Sequence, residues 1–280
     1  MEYCIMSITS LDGYIGAVKQ RVRILKTASR TVVATIPFSV FDIAGNPGAG
    51  VLAGTSTSSG SVPTDATPGC PDIAFTSGVG YLSKIEYGSS VACRLSLHDM
   101  LFKAGAYSYA TGTTTLSNQP VISQRCPDYL GGTTFGSRNE IWIEVVTAMT
   151  AATSWNVRIT YTNFDGIVGR SSIVSANFAA AALTVGKMFM IGLASGDTGV
   201  QKIESVIVTN TGATAGSFNV LILRPIWTSG RCMTANDGDI HDMLKTGLPI
   251  VYNDSALIMQ VQADSTASGV PELSFEVASA

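Results

Sequence analysis

The stretch WNVRITY (155–161) alternates large apolar side chains with polar ones. Successive side chains of a β-strand point to opposite faces, so this alternation predicts a strand with one face in a core and the other in water. The run LSFEV (273–277) repeats the pattern near the end of the sequence. Both runs predict β-sheets that pack one face against a core, with Trp155 among the buried residues.

Four further runs are apolar on both faces, as expected for central strands of a sandwich. They are IWIEVV (141–146), IESVIV (203–208), FNVLILR (218–224) and ALIMQV (256–261). Pro37 interrupts the run at 31–43 and cannot donate a ladder hydrogen bond, which predicts an edge strand or a bulge. The segments at 148–154, 211–216 and about 266–271 are predicted to be hairpin connections.

Helix is scarce in the sequence. Residues 11–27 predict one amphipathic helix, because their apolar side chains, Ile15 and Val18 among them, fall on one side at helical spacing. The tetrapeptide HDML occurs at 98–101 and at 241–244. Each copy predicts a short helical turn that its aspartate caps.

An internal repeat is visible in the order of these runs. Lys84-Ile85-Glu86 matches Lys202-Ile203-Glu204 at a separation of 118 residues. The run at 141–146 matches that at 256–261, and 156–161 matches 272–277, at nearly the same separation. The constant spacing favours two copies of one β module. Chance similarity remains the alternative, since alternating strands resemble one another easily.

The predicted fold class is mainly β, with two tandem antiparallel β-sandwich (jelly-roll-like) modules and little helix. Residues 1–30 form a basic N-terminal arm or short helix in this prediction. The first module covers 31–165 and carries a Gly/Ser/Thr-rich insert at about 45–72, and the second covers 166–280.

Composition excludes several classes of protein. Only 13% of the 280 residues are charged, against about a quarter in an average soluble protein. The 17 Lys and Arg are outnumbered by 20 Asp and Glu, so nucleic-acid binding is disfavoured. The apolar runs are shorter than the ~20 residues of a membrane span, and the N-terminus carries no signal-peptide pattern. A chain made in the cytoplasm, with an uncharged polar surface and no membrane partner, is expected.

Cysteine spacing indicates no framework of bonds or ligands. The five cysteines are Cys4, Cys70, Cys93, Cys126 and Cys232, and they form no C-x-x-C pair. We therefore expect reduced, mostly buried thiols rather than disulfides or a zinc site.

The sequence contains no motif that specifies a reaction. The neighbours His98-Asp99 and His241-Asp242 do not predict a catalytic dyad, because adjacent side chains diverge. Asn236-Asp237-Gly238-Asp239 resembles a fragment of a calcium loop, and an Asx turn explains it more simply. We expect no catalytic residue, cofactor or metal, although a glycosidase carboxylate pair from distant positions stays open.

Five basic residues fall within twelve positions near the N-terminus: Lys19, Arg21, Arg23, Lys26 and Arg30. They are the candidate partner contacts, because a basic arm can lie on an acidic neighbour. The alternative is a solvated helix face, and without interleaved aromatic residues a nucleic-acid role is weak.

The module SGDTGVQKIESVIVTNTGATAGSFNVLILRPIWTSG (195–230) and the closing strand pair at 256–277 together resemble β-sandwich virion proteins of tailed bacteriophages, such as capsid decoration (cement) and head or tail accessory proteins. The resemblance implies a non-enzymatic structural protein in the virion. Its implied partners are the major capsid protein or other virion proteins, and copies of itself in a homo-oligomer. The chain lacks a candidate for the long spine helix of major capsid proteins, which favours an accessory role.

Three other functions remain open at this point. The same sandwich fits a tail, neck or fibre component of low copy number. A carbohydrate-binding β-sandwich module would present exposed aromatic side chains, for which Trp142, Trp155 and Trp227 are available. An enzyme is the last alternative.

Overall fold

The computed structural model describes residues 10–75, 79–212 and 215–279. Within these ranges the chain forms sixteen β-strands and two short α-helices, which confirms the mainly β class. The helices are α1 (Leu11–Gly16) and α2 (Met243–Thr246). In chain order the strands are β1 (Val18–Lys26), β2 (Pro37–Ser39), β3 (Gly45–Asn46), β4 (Val79–Ser89), β5 (Cys93–Ser108), β6 (Gly112–Thr115), β7 (Glu140–Thr147), β8 (Ser154–Asn163), β9 (Arg170–Ser171), β10 (Met188–Ile191), β11 (Val200–Thr211), β12 (Ser217–Thr228), β13 (Asp237–His241), β14 (Ile250–Tyr252), β15 (Leu257–Ala263) and β16 (Pro271–Ser279).

The strands form three antiparallel sheets. The first outer sheet has the order β13-β4-β16-β1-β3, with β14 also paired to β4. The central sheet has the order β10-β7-β12-β5-β15-β2, and the second outer sheet has the order β6-β11-β8-β9. Strand β2 begins at Pro37 and ends the order of the central sheet, as predicted for an edge.

The predicted hairpins are wrong, because each connection joins strands of different sheets. The arches that build the cores are β4 to β5, β7 to β8, β11 to β12, and β15 to β16. In every arch one strand enters an outer sheet and the other enters the central sheet. Turn residues are the same in a hairpin and in an arch, so the local sequence did not distinguish them.

Two hydrophobic cores lie between the central sheet and the outer sheets. The first core, under the first outer sheet, contains Leu82, Leu95, Val261 and Phe275. This core combines the arch β4–β5 with the arch β15–β16. The second core combines β7–β8 with β11–β12 under the second outer sheet. The predicted boundary near 165 therefore does not separate the cores, since each core takes strands from both sides of it.

The repeat-related arches lie in matching places. Strands β5 and β12 pair at the middle of the central sheet, where Lys103 lies opposite Leu221. These positions are 118 residues apart, the same separation as Lys84 and Lys202. The corresponding strands of these two arches, β5 and β12, therefore pair with each other. The remaining strands, β4 and β11, enter different outer sheets. This placement agrees with a duplicated module whose two copies exchange strand partners.

The helix predicted over residues 11–27 is wrong for most of its length. Only Leu11–Gly16 is helical, with the Ser10 side chain as its N-cap, and β1 occupies Val18–Lys26. Val22 and Ile24 are buried on one face of this strand while their neighbours are exposed. The period of two in β1 therefore overrides the helical spacing, and Val18, which the helix would have buried, is exposed.

The insert at 45–72 is held across the outer face of the central sheet. The Gly54 N–H donates to Asn219 Oδ1 at 2.9 Å, and Asn219 Nδ2 donates to the Leu52 carbonyl at 2.6 Å. Ser61 and Lys103 exchange both backbone hydrogen bonds at 2.9 Å. The glycine- and serine-rich composition thus serves close backbone packing on β5 and β12.

Candidate interaction surfaces

The first candidate surface, the charged face, is the outer side of the first outer sheet. The alternation of β1 exposes Lys19, Arg21 and Arg23 there. The neighbouring strands add acidic residues, so Arg21 lies opposite Glu276 and Arg23 lies beside Glu272. Paired opposite charges on one sheet face stabilise the strand register.

Most of these charges are already neutralised within the chain. Arg23 Nη2 lies 2.6 Å from Glu272 Oε1, and Arg21 Nη2 lies 3.1 Å from Glu86 Oε2. Lys84 Nζ donates to the other Glu86 oxygen at 2.6 Å, and this hydrogen bond lowers the pKa of Glu86. Exposed ion pairs of this kind contribute little free energy, about 0–1 kcal/mol each. The charged face is therefore a solvated surface with limited charge to offer a partner.

Two of the five candidate contacts are removed from that surface by burial. Lys26 continues the inward face of β1 and is 1% exposed, with its Nζ donating to the Ile43 carbonyl at 3.0 Å. Burial lowers the pKa of Lys26. Arg30 is half-buried and forms an ion pair with Asp42. The candidate contacts are thus reduced to Lys19, Arg21 and Arg23, whose role stays a prediction.

The second candidate surface, the apolar edge, consists of Ile167, Val168, Ile173, Val174 and Met190. All five side chains are exposed, from 48% for Val174 to 71% for Val168. The first four follow β8 along the chain, and the Ile173 N–H donates to the Gly192 carbonyl at 2.8 Å, two residues from Met190. Grouped exposed apolar residues of this kind mark protein-contact surfaces.

The apolar edge also ends a sheet. Strand β9 pairs with β8 alone in the described part of the chain, so it is the terminal strand of the second outer sheet. An open strand edge presents unpaired backbone groups to another chain. One group of this edge is already used, since the Ile173 N–H donates to the Gly192 carbonyl. Together the terminal strand β9 and the exposed apolar side chains make this region the best candidate for a protein contact.

The arginine next to the apolar edge, Arg170, forms an ion pair within the chain. Arg170 Nε donates to Asp197 Oδ2 at 2.8 Å, and Tyr161 and Asn163 donate to the same carboxylate at 2.6 and 2.9 Å. Burial acts to raise the pKa of Asp197, but the hydrogen bonds from Arg170, Tyr161 and Asn163 lower it overall. Asp197 therefore stays ionised and neutralises Arg170. A second carboxylate also reaches this segment, since Glu204 Oε2 accepts from the Gly169 N–H at 3.0 Å.

A buried ion cluster lies on β5 and β12, where these strands pass from the first core to the second. Asp99 on β5 is fully buried, and Arg224 Nη2 on β12 donates to it at 3.0 Å. Ser255 Oγ and the Ala256 N–H also donate to Asp99, at 3.0 and 3.1 Å. Arg125 Nη1 lies 3.4 Å from the same carboxylate. These donors compensate the buried charge.

The two HDML tetrapeptides differ in structure. His98 and Asp99 lie in the middle of β5, so the predicted turn at 98–101 is wrong. The second prediction is confirmed, since Asp242 caps α2 by accepting from the Leu244 and Lys245 N–H groups at 3.1 Å. Sequence reasoning missed the role of Asp99, because its partner Arg224 lies 125 residues away.

The tryptophans do not form an exposed platform. Trp155 is fully buried in the second core, as predicted, and Trp142 and Trp227 are also buried. A stacking surface for sugar rings needs exposed aromatic faces. The carbohydrate-binding alternative therefore loses the residues on which it depended.

A cleft of about 430 Å³ lies beside Arg138, Arg224 and Pro249. In the described ranges no group of three His, Cys, Asp or Glu side chains is placed to hold a metal ion. The helices of those ranges are all too short or too polar to cross a membrane.

No family model matches the sequence, and no curated protein matches it. Solved structures that resemble the chain include infectious bursal disease virus, Gt strain, with 12% identity over 94% of this chain and 81% of that chain and a TM-score of 0.14. Infectious bursal virus derived T=1 particles match with 10% identity over 94% and 78% of the chains and a TM-score of 0.16. TM-scores of this size lie below the level that indicates a shared fold.

Proposed function

We propose that the chain is a non-enzymatic structural protein of a virus particle that assembles through its apolar edge. The finer proposal is a capsid decoration (cement) protein of a tailed bacteriophage, bound to the major capsid protein as a homo-oligomer. The apolar edge is the observation that carries the proposal of an assembling protein, because a terminal strand with exposed Ile, Val and Met side chains beside it suits contact with another chain. The resemblance of residues 195–230 and 256–277 to phage virion proteins supports the finer step.

We assign a second copy of this chain as the occupant of the apolar edge. Two edge strands can pair antiparallel across a two-fold axis, so one surface can be its own partner. Arg170 lies in β9 and is neutralised by Asp197, so it does not repel the Arg170 of a second copy. The charged face stays outside this contact and is free for a weaker, salt-dependent one through Lys19, Arg21 and Arg23.

The proposed mechanism is mechanical. A protein that binds across neighbouring shell subunits only when they are correctly assembled stabilises that assembly by linkage. Stabilisation then grows with the number of contacts, which explains why a repeated, low-charge chain suits the role. No step of this mechanism requires a catalytic residue or a cofactor.

The test is the copy number of the chain in purified particles of the phage that encodes it, measured by quantitative mass spectrometry against the major capsid protein. Hundreds of copies per particle are expected for a decoration protein. A few copies to a few tens would replace this assignment with a neck, tail or fibre component. Absence from the particles would overturn the virion proposal altogether.

A matched pair of variants connects the copy number to the surface. Ile173→Asp places a charge on the apolar edge, and Arg21→Ala removes one from the charged face. Particles grown with the first variant are expected to lose most copies of the chain, whereas the second keeps them. Equal occupancy for both variants would remove the apolar edge from the assembly contact.

A further inference from the structure

Two of the cysteines lie opposite each other at the open end of the first core. Cys93 is the first residue of β5, and Cys232 lies after β12. The two cysteines form an antiparallel β-bridge with each other. The Cys232 N–H donates to the Cys93 carbonyl at 2.8 Å. Residues paired by such a bond have Cα atoms about 5.5 Å apart and side chains on the same face. The two thiols lie close enough for each to influence the pKa of the other.

This geometry falls in the range that a disulfide requires. Bridged cysteines have Cα atoms about 4.4–6.8 Å apart, most often near 5.5–6 Å. The backbone on either side of Cys232 is held in register, because the Ser229 N–H donates to the Leu95 carbonyl at 2.8 Å and the Asn236 N–H to the Ser89 carbonyl at 2.9 Å. A bond between the two sulfur atoms therefore joins two backbone segments that are already aligned, with a small closing movement of the Cys232 segment.

We infer that Cys93 and Cys232 form an intramolecular disulfide when the folded chain meets a disulfide oxidant such as oxidised glutathione. The Cys232 thiolate attacks one glutathione sulfur, which forms a mixed disulfide and releases one glutathione thiolate. The Cys93 thiolate then attacks Cys232 Sγ and releases the second glutathione. Two protein thiols are oxidised and one glutathione disulfide is reduced, so electrons and protons balance.

The order of attack follows from access. Cys232 is 5% exposed, whereas Cys93 is completely buried, so the oxidant reaches Cys232 first. Burial raises the pKa of Cys93 to about 11 and also raises that of Cys232. Since the thiolate is the nucleophile, the reaction is slow at neutral pH and accelerates as the pH rises.

The bond would fasten an exposed strand to the central sheet. Cys232 lies in the segment that leads from β12 to β13, and β13 is the terminal strand of the first outer sheet. Nearby, Arg231 and Asp264 form an ion pair that joins the same segment to the end of β15. Covalent closure would therefore restrain β13 through a bond at the end of the first core. This inference is independent of the proposed virion role.

The experiment treats the purified full chain with oxidised glutathione at about pH 7 and about pH 8.5 and measures intact mass, followed by non-reducing peptide mapping. We expect the mass to fall by two hydrogen atoms, a linked peptide pair that contains Cys93 and Cys232, and a faster reaction at the higher pH. The thermal midpoint of the oxidised chain should rise by roughly 5 °C or more.

Matched variants make the result specific. Cys126→Ser leaves the pair intact and is expected to react as the natural chain does, because Cys126 lies opposite no other cysteine in the described ranges. Cys232→Ser should block the loss of two hydrogens. Only glutathione adducts in the natural chain, a link that uses another cysteine, or no reaction even in mild urea that opens the segment would overturn the inference.

Discussion

The two cores share one frame and differ in what they show to the surroundings. Each is built from two arches, and each uses half of the central sheet. The first outer sheet carries alternating Arg, Lys and Glu side chains on its outer face, for example at the paired positions Arg21 and Glu276. The matching face of the second outer sheet carries mostly Ser, Thr and Asn, for example at the paired positions Thr160 and Ser205.

The terminal strand of the first outer sheet, β13, exposes Ile240 between charged residues, since Asp237 and Asp239 are also exposed there. Beside the second core the described chain leaves Ile167, Val168, Ile173 and Val174 exposed, next to a terminal strand of two residues. A charged sheet face resists association with other chains, whereas an apolar open edge favours it. Two outer sheets built on one frame therefore present different surfaces: a charged face over the first core and an apolar edge beside the second.

The largest loss of stability is expected at Asp99, because its strand β5 contributes to both cores. Asp99→Asn removes the negative charge that Arg224 and Arg125 share, and leaves two buried guanidinium groups without it. Loss of one partner in a buried pair costs about 3–5 kcal/mol. We expect that loss in the free energy of unfolding measured by urea denaturation, in one transition that involves both cores.

Glu86→Gln is the control for charge removal outside the core. It breaks two exposed ion pairs, and we expect a change below about 1 kcal/mol. A loss of similar size for Asp99→Asn and Glu86→Gln would contradict the role given to the buried cluster.

A second prediction tests whether the two cores unfold together. Trp155→Ala empties the second core, where the indole contacts Tyr109 and Phe218, and Leu273→Ala empties the first core. Such truncations cost about 2–5 kcal/mol. Because β5 and β12 pass through both cores, we expect each variant to shift a single transition, seen equally by circular dichroism and tyrosine fluorescence. Two separated transitions in either variant would show that the cores are independent.

Acid sensitivity is expected to come from the central sheet rather than from either outer face. His98 is buried, and burial lowers its pKa to about 4 from an unfolded value near 6.5. Between these values the unfolded chain binds a proton that the folded chain does not, so stability falls as the pH falls from about 6.5 to about 4 and is unaffected by this group above that range. The total loss is on the order of 3 kcal/mol.

His98→Leu should flatten this part of the stability curve, measured as the free energy of unfolding at several pH values. His241→Gln, a change at the other histidine, is the matched control and should keep the slope. If the slope survives in His98→Leu, the buried imidazole is not its source.

The smallest effect is expected on the charged face. Replacing both Arg21 and Arg23 by Ala removes exposed ion pairs with Glu86 and Glu272, so we expect a change of about 1 kcal/mol or less in stability. The remaining effect should vanish in high salt, because exposed charges are screened. A large, salt-independent loss would mean that the two faces do not differ as described.

The sequence predicted the strands well and their partners poorly. Alternation identified 155–161 and 273–277 because one face of each strand lies on a core. Strand β8 pairs with β11, which follows it after some forty residues, while β16 pairs with β1, from the opposite end of the chain. Local pattern carries no information on such distant pairing, and the exchange of partners between the repeats therefore became visible only in the structure.

The candidate contacts show the same limit. The basic cluster was visible as composition, but the alternation of β1 turns Lys26 inward and leaves Arg21 outward. The apolar edge was missed because Ile167, Val168 and Ile173 lie in a segment without strand or helix period. The signal that would have found it is the presence of unpatterned apolar residues between two confidently patterned strands.

Sedimentation velocity over a range of protein concentrations tests directly whether the apolar edge joins two copies of the chain. The natural chain, Ile173→Asp and Arg21→Ala are measured side by side. We expect the natural chain and Arg21→Ala to self-associate as the concentration rises. Ile173→Asp should stay monomeric, with an unchanged circular dichroism spectrum. A natural chain that is monomeric throughout, or an Ile173→Asp chain that associates as strongly, would contradict the assignment of the apolar edge as the assembly contact.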